Sequence, residues 1–265
     1  MLIQLCVFLL LCAASEAKRS DWQEDEDGGD SSVQTAEGRT VLKLGVRHSI
    51  NLTAIPDKLQ PGSIFDERLL QQNQHLIWYQ IPKWLAGKWQ REQETTVFSY
   101  DYESRQSDRQ KHRFTSRQTA DFGVQKDKAG NIWHCNLASA GVSDRGSYRS
   151  IALVRLQEPL QVSADQLTLK EVFTVVNVAK ETNVIMESYS LESLTRYKPI
   201  SDGNVETSMS MKIYNADGSA KKLQENVAYD RRIGPMDVVD KYKGKDVRAD
   251  FEQFLLEGNQ GGPAP

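Results

Sequence analysis

Apolar and polar residues alternate with a period of two over long parts of the chain, a pattern that predicts β-strands rather than helices. The first alternation runs from Val41 to Thr53, where the even-numbered residues through Leu52 are apolar apart from His48. We therefore predict a half-buried strand over 41–53, with His48 as a core or rim imidazole that has a hydrogen-bond partner. A short helix over 65–72 is predicted to follow this strand.

The same alternation recurs downstream, with turn-forming residues between the apolar runs. Lys128 to Asn131 predicts a hairpin turn and Asp217-Gly218 a tight turn. Strands separated by short turns, without helical crossovers, indicate an antiparallel barrel or sandwich. The later strands are predicted at 97–102, 114–124, 132–137, 148–157, 167–178, 183–189, 205–214 and 223–229.

The two ends of the chain depart from this pattern. Leu2 to Ala14 is apolar except for Gln4, and Ser15-Glu16-Ala17 places small residues at the two cleavage-determining positions. We therefore predict export, to the periplasm or the medium, after cleavage of a signal peptide. Near the other end, Asp246 can cap a helix that Gly258 can end, with apolar residues at helical spacing. These residues are Val247, Phe251, Phe254 and Leu255.

Composition narrows the class of protein. The 265 residues are 39% hydrophobic and carry 33 basic and 36 acidic side chains, a net charge of −3 that does not favour nucleic-acid binding. Six of the acidic residues lie in 21–30, which predicts a solvated acidic arm. Signal cleavage would remove Cys6 and Cys12, so Cys135 would have no intramolecular disulfide partner. Lipidation of Cys12 and glycosylation of Asn51, in the sequon Asn-Leu-Thr, stay open.

No motif for catalysis, phosphate binding or metal binding is supported. The four histidines, His48, His75, His112 and His134, are at least 22 residues apart and form no ligand-pair motif. The segment Gly141 to Gly146 is one residue longer than a G-x-S-x-G elbow and lies between two predicted strands, so it predicts a turn. We therefore expect no cofactor and no metal. An enzyme is the less favoured class, with His48 or His134 as its candidate acid–base residue.

A basic loop separates two of the predicted strands and has only Asp108 as a nearby acid. Such a loop can dock an acidic partner, or it can keep a sheet edge soluble and unpaired. Its candidate docking residues are Arg105, Arg109, Lys111 and Arg113.

Three of the five tryptophans lie within 76–89. In this segment Gly87-Lys88-Trp89, preceded by Trp84-Leu85-Ala86, resembles the G-x-W signature of lipocalins and related calycins. The resemblance covers about 75–257 and implies an antiparallel up-and-down β-barrel with a C-terminal helix. It also implies that Trp84, Gly87 and Trp89 close one barrel end, with Arg231 or Arg232 over the indole of Trp89.

The predicted organisation is a signal peptide (1–17), an acidic disordered arm (18–40), a strand and short helix (41–74), a barrel domain with its helix (75–257) and a disordered tail (258–265).

Three functional hypotheses remain. The first is an exported binding protein that holds a small apolar or amphipathic ligand inside the barrel, since aromatic side chains supply most of such a pocket's contact area. The second is a non-catalytic subunit of a cell-envelope or secretion assembly, based on the export signal, the acidic arm and the basic loop. The third is an enzyme with an acid–base site at a barrel end. The candidate ligand-lining residues are Trp89, Phe98, Tyr100, Phe122 and Trp133, and neighbouring strand positions face opposite ways, so not all five can line one pocket.

Overall fold

The computed structural model describes residues 47–71 and 76–258. It confirms a mainly β protein with antiparallel strands and a C-terminal helix. The predicted signal peptide, the acidic arm and the tail after Gly258 lie outside the described residues. Two short 3-10 helices, Asp57–Leu59 and Glu67–Gln71, precede the strands β1 Tyr79–Ile81, β2 Gly87–Asp101, β3 Gln106–Asp108, β4 His112–Phe122, β5 Gln125–Lys126, β6 Ile132–His134, β7 Ala140–Asp144, β8 Tyr148–Val162, β9 Leu167–Ala179, β10 Ile185–Ser201, β11 Asn204–Tyr214, β12 Ala220–Gly234, β13 Lys241–Tyr242 and β14 Lys245–Asp246, and the helix α1 Val247–Gly258.

The largest sheet has nine strands, and β7 to β12 follow one another in it in chain order. Strand β12 then pairs with β2, whose other edge pairs with β4 and, near its end, with β3. The last long strand thus returns to the first, as in an up-and-down barrel. The predicted closure is not found, because no pairing joins β4 to β7 among the described strands.

This sheet is strongly curved. Phe122 on β4 and Tyr197 on β10 are separated by four strand steps, which would place them about 19 Å apart on a flat sheet. Their ring centroids are only 5.1 Å apart, in an edge-on arrangement. The sheet therefore curls around a concave face, and Trp89 and Leu169 share a buried cluster with both rings.

A three-stranded sheet, in the order β1-β6-β5, lies between the large sheet and α1. Tyr79 and Ile132 point from it into the cluster of Trp89, while Trp78 and Cys135 pack with Phe251 of the helix. Because side chains alternate along a strand, β6 directs Ile132 and His134 to the large sheet and Trp133 to α1. The rings of Trp133 lie 6.0 and 5.3 Å from those of Phe251 and Phe254.

The helix begins as its sequence predicts. The side chain of Asp246 accepts a hydrogen bond from the backbone N–H of Ala249 at 2.9 Å, the contact of an N-cap residue. Val247 and Phe251 are buried, and the helix ends at Gly258. Trp78 further fixes the helix by donating its indole N–H to Asp250 at 2.9 Å.

The predicted strand over 41–53 is corrected by the structure, which describes its residues from 47 onward and finds no strand there. Ile50, placed on the buried face by the alternation, is 72% exposed. Residues 47–71 instead run across the outer face of β8 to β11 as an irregular segment, which we call the N-terminal strap. Its apolar side chains cover that face, and the backbone of Ile55 and Phe65 donates to the carbonyls of Ala216 and Asn183. The strap residues in this buried cluster are Ile55, Leu59, Phe65 and Leu69.

Candidate functional site

The tryptophan-rich corner packs tightly at one end of the concave face. The indole N–H of Trp89 donates to the carbonyl of Leu85 at 2.7 Å, and the ring is 2% exposed. The guanidinium carbon of Arg232 lies 4.9 Å from the centre of this ring, and Arg232 also donates to the carbonyl of Trp84. Gly87 has φ +139°, and a Cβ there would lie 2.8 Å from the carbonyl oxygen of Gly234. Arg231 is exposed on the opposite face of β12.

Beside this corner lies a partly open cavity of about 90 Å³, lined by the large sheet, by residues 134–138 and by Met236, Asp237 and Val239. We call it the intersheet cavity. Its apolar wall comes from side chains such as Phe122, Leu169 and Tyr197. Polar side chains interrupt this wall, among them Asn136, Gln157, Glu171 and His134. A mainly apolar cavity with a few convergent polar groups is the usual form of a small-molecule site.

Glu171 projects from the concave face of β9 and is 8% exposed. One of its oxygens, Oε1, accepts a hydrogen bond from Gln157 at 2.7 Å. Oε2 has no hydrogen-bond partner among the described residues. Burial raises the pKa of this carboxyl to about 7, opposed by the hydrogen bond from Gln157. Glu171 is therefore uncharged over much of the range below neutral pH, and it can then donate a proton in a hydrogen bond.

His134 faces the same cavity from β6. Its Nδ1 accepts the backbone N–H of Gly123 at 3.2 Å, which assigns the proton of the neutral ring to Nε2. Burial lowers the pKa of His134 to about 4, so the ring is neutral at physiological pH. The rings of Tyr79 and Phe122 each lie 5.5 Å from the imidazole. The imidazole is therefore uncharged and packed between aromatic rings, and its Nε2–H is the donor that it can offer to a ligand.

Charged groups lie at the rim of the cavity and largely satisfy one another. Lys88 pairs with Asp237 at 2.7 Å, and burial raises the pKa of Asp121. Cys135 also touches the cavity, but burial raises the pKa of its thiol far above neutrality. A protonated thiol is a poor nucleophile, so Cys135 is an inert wall residue.

The chain matches no protein-family model, no curated protein and no solved structure.

The five candidate lining residues do not come together in one pocket. Phe122 lines the intersheet cavity, and Trp89 lies in the buried cluster beside it. Trp133 packs against α1. Phe98 is buried beneath the guanidinium of Arg109, at 5.3 Å, and Tyr100 packs edge-on against Tyr102.

Glu171 was missed in the sequence, although a signal for it exists. Leu167, Leu169, Phe173 and Val175 occupy one face of the β9 pattern, and Glu171 is the acid among them. A carboxyl on an otherwise apolar strand face is unusual, and burying it requires a partner or a proton.

The middle of the concave face holds a buried polar network rather than an apolar pocket. Arg91 binds both oxygens of Asp230, at 2.7 and 2.8 Å, and also reaches Glu94 at 3.3 Å. Thr207 donates to Asp230 at 2.6 Å, and Asn226 donates to Glu94. The hydrogen bonds and charges of these groups are paired with one another, so we assign the network a structural role in the interior of the sheet.

A serine, a histidine and a glutamate align on the outer face. Nε2 of His48 lies 2.9 Å from the hydroxyl of Ser210, and Nδ1 lies 3.2 Å from Glu192. The order resembles a hydrolytic triad, but Ser210 and Glu192 are fully buried under the N-terminal strap, and a substrate cannot reach the hydroxyl. The contacts of His48 agree with the prediction of a core or rim imidazole with a hydrogen-bond partner. His48 helps to fasten the N-terminal strap to the sheet, and the neighbouring Ser49 also donates its N–H to Glu192 at 2.8 Å.

The candidate docking residues fall into two groups. Arg105 lies exposed at a turn with φ +57°, and Arg109 stacks on Phe98. Lys111 and Arg113 line an open groove on the outer face. Arg231 and Tyr229, the latter 64% exposed, line the same groove.

Among the residues that the structure describes, no group of three His, Cys, Asp or Glu side chains is placed to hold a metal ion. No described helix has both the length and the apolar character needed to span a membrane.

Proposed function

We propose that this protein is an exported binding protein that holds a small amphipathic molecule in the intersheet cavity. The observation that carries this proposal is the pair of polar groups, Glu171 Oε2 and His134 Nε2–H, that have no protein partner there. Both side chains line the cavity, and the protein already uses Oε1 of Glu171 and Nδ1 of His134, so a molecule bound there can form hydrogen bonds with the two remaining atoms. The apolar wall would contact the rest of that molecule.

The size of the cavity limits what it can enclose. A cavity of roughly 150 Å³ holds benzene, and the intersheet cavity measures about 90 Å³. It would thus enclose a molecule smaller than benzene, or hold the polar end of a ring-sized or longer molecule whose remainder leaves past Lys88 and Asp237. The curved sheet and the return of β12 to β2 support a calycin-like arrangement, in which the small sheet packs on the cluster of Trp89 at the concave face.

Native mass spectrometry and organic extraction of the protein purified from its source organism test this function. Ala138 is buried in the cavity wall, so Ala138→Leu adds bulk there, and the same change at the exposed Ala129 is the matched control. We expect a co-purified small molecule in the wild-type protein and in Ala129→Leu, and its loss in a folded Ala138→Leu. Its absence from the wild-type protein, or equal retention by both variants, would contradict the proposal.

A role as a subunit of a cell-envelope assembly is the second candidate, and the outer groove favours it. Three cations, Lys111, Arg113 and Arg231, line this groove together with the exposed Tyr229, and Glu92 is the acid in the same lining. Affinity capture would test this role with Arg113→Glu combined with Arg231→Glu. We expect a stoichiometric acidic partner to be lost in that double variant, and capture that survives it would contradict this role.

An enzyme with an acid–base site is the third candidate and would use the same cavity. Between Glu171 and His134 as the acid–base residue, Glu171 has a pKa near the pH at which a general base works well, and His134 does not. The mainly apolar wall around these groups is typical of a small-molecule site, so ligand binding is the function that the geometry supports best.

A further inference from the structure

We propose that the molecule bound in the intersheet cavity presents an uncharged hydrogen-bond acceptor, a carbonyl oxygen, to Glu171 and His134. The inference rests on the proposed function and specifies its ligand class. Each of the two side chains has one polar atom that is hydrogen-bonded within the protein and one that is left for a ligand.

The protein uses one atom of each side chain as an acceptor. Oε1 of Glu171 accepts from Gln157, so the proton of the uncharged carboxyl lies on Oε2. Nδ1 of His134 accepts from Gly123, so the proton of the ring lies on Nε2. Both remaining atoms are therefore donors. A carbonyl oxygen has two lone pairs and can accept from either or both, whereas a ligand with donors alone would leave them unsatisfied.

The charges around the cavity disfavour ionic ligands. The titratable groups that face it are Lys88, Asp121, His134, Cys135, Tyr197 and Asp237, besides Glu171 itself. Lys88 is paired with Asp237, and His134 is neutral, so a bound carboxylate would lose its water without gaining a cation. A bound ammonium would meet an uncharged Glu171 below neutral pH and two N–H or O–H donors. An uncharged acceptor meets neither cost.

Ionisation of Glu171 gives the site a pH dependence. When the carboxyl loses its proton near pH 7, Oε2 becomes an acceptor and a carbonyl loses one of its donors. At pH 8.5 about one site in thirty keeps the proton, so the apparent affinity for a carbonyl falls by up to about thirtyfold from its value at pH 5.5. The donor of His134 does not change over this range.

Three probes of matched shape test the ligand class on the full chain: cyclopentanone, cyclopentane and cyclopentylamine. Protein-observed NMR titration at pH 5.5 and 8.5 gives each dissociation constant from the shifts of cavity residues. We expect cyclopentanone to bind more tightly than both other probes at pH 5.5 and to weaken by tenfold or more at pH 8.5. Glu171→Gln keeps a donor at every pH and should bind cyclopentanone equally at both. Glu225→Gln, at a half-buried glutamate that does not line the cavity, is the control and should keep the pH dependence.

The outcomes separate this inference from the function on which it rests. Equal binding of cyclopentane and cyclopentanone would overturn the carbonyl class and leave the cavity as a binding site. Tightest binding of cyclopentylamine would also overturn the carbonyl class. An unchanged pH dependence in Glu171→Gln would overturn the role of Glu171. No response of the cavity residues to any of the three probes would count against both.

Discussion

Glu171 and Glu192 lie on neighbouring strands and face opposite sides of the same sheet, and their surroundings shift their acidities in opposite directions. Glu171 has one hydrogen-bond donor, and burial raises its pKa. Burial would also raise the pKa of Glu192, but hydrogen bonds from His48, Lys170, Ser49 and Tyr214 hold it well below its usual range. The number of donors around a buried carboxylate therefore decides whether it stays charged. Glu192 is a charged anchor for the N-terminal strap, and Glu171 is a group that can lose its proton in use.

Replacing Glu171 by glutamine should change the pH dependence of stability. The carboxyl has a pKa of about 7 in the folded chain and close to 4.5 when unfolded, so the folded state binds more protons between these values. Stability contributed by the protonated carboxyl is complete below pH 4.5 and is lost as the pH rises through 7. Glu171→Gln avoids this loss and should exceed the wild-type free energy of unfolding by about 3 kcal/mol at pH 8, with little difference near pH 4.

Urea denaturation at pH 4, 6 and 8 measures this difference. Glu103 is exposed, so Glu103→Gln should follow the wild-type protein at all three values. A constant offset between Glu171→Gln and the wild-type protein at every pH would show that Glu171 keeps an ordinary acidity in the folded chain.

At the scale of elements, the N-terminal strap covers an apolar face of the large sheet, at the place in the chain where a further strand was predicted. Its apolar residues close the outer face of β8 to β10 by packing, with few backbone pairings. Phe65 is 2% exposed beneath the guanidinium of Arg149, while its neighbour Ile64 is 71% exposed. We expect Phe65→Ala to lower the free energy of unfolding by about 3–5 kcal/mol. Ile64→Ala should change it by no more than about 0.5 kcal/mol.

Chemical denaturation of the two variants measures both values under one condition. The pair is well matched because the residues are adjacent in the chain and each loses an apolar side chain. Similar losses at the two positions would mean that the strap is not seated on the outer face as the structure has it.

The alternation of residues predicted most of the long strands, and its failures have identifiable causes. Strand β8 continues to Val162, beyond its predicted end, through a register shift near Pro159, a residue that strands accept at irregularities of this kind. The pattern around His48 is that of a strand, but tertiary contacts with Glu192 hold the chain in an irregular path. Local alternation reports which side chains are buried, and it does not say whether a neighbouring backbone is available for pairing.

The candidate site was less accessible to sequence reasoning than the strands. The helix cap at Asp246 is a local contact and was predicted. The intersheet cavity depends on the pairing of β1 with β6, which joins Tyr79 to His134 across a long stretch of chain. Such short strands carry too little pattern to specify a partner. The cavity also depends on a close approach at Gly123, where a Cβ would lie 2.3 Å from the sulfur of Met236.

At the scale of the whole molecule, the two sheets and α1 are joined by shared cores. Tyr79 and Ile132 of the small sheet pack with Trp89 and Leu169 of the large one. The opposite face of the small sheet packs on the helix through Trp78 and Trp133. The small sheet thus has no core of its own, and strands this short are not stable alone. We infer that the described layers unfold together.

Weakening the helix should therefore destabilise the large sheet as well. Phe251 is 1% exposed at the centre of the helix contact, and Leu256 on the same helix is 67% exposed. Phe251→Ala should lower the denaturation midpoints seen by far-ultraviolet circular dichroism and by tryptophan fluorescence by the same amount, whereas Leu256→Ala should leave both nearly unchanged.

If the fluorescence midpoint shifted alone, with the circular dichroism midpoint unchanged, α1 and the small sheet would be an independent unit. The intersheet cavity, which has one wall from each sheet, would then open before the large sheet unfolds. Coincident shifts would instead mean that the cavity walls are held with the full stability of the chain, as a binding site that keeps its shape without a ligand requires.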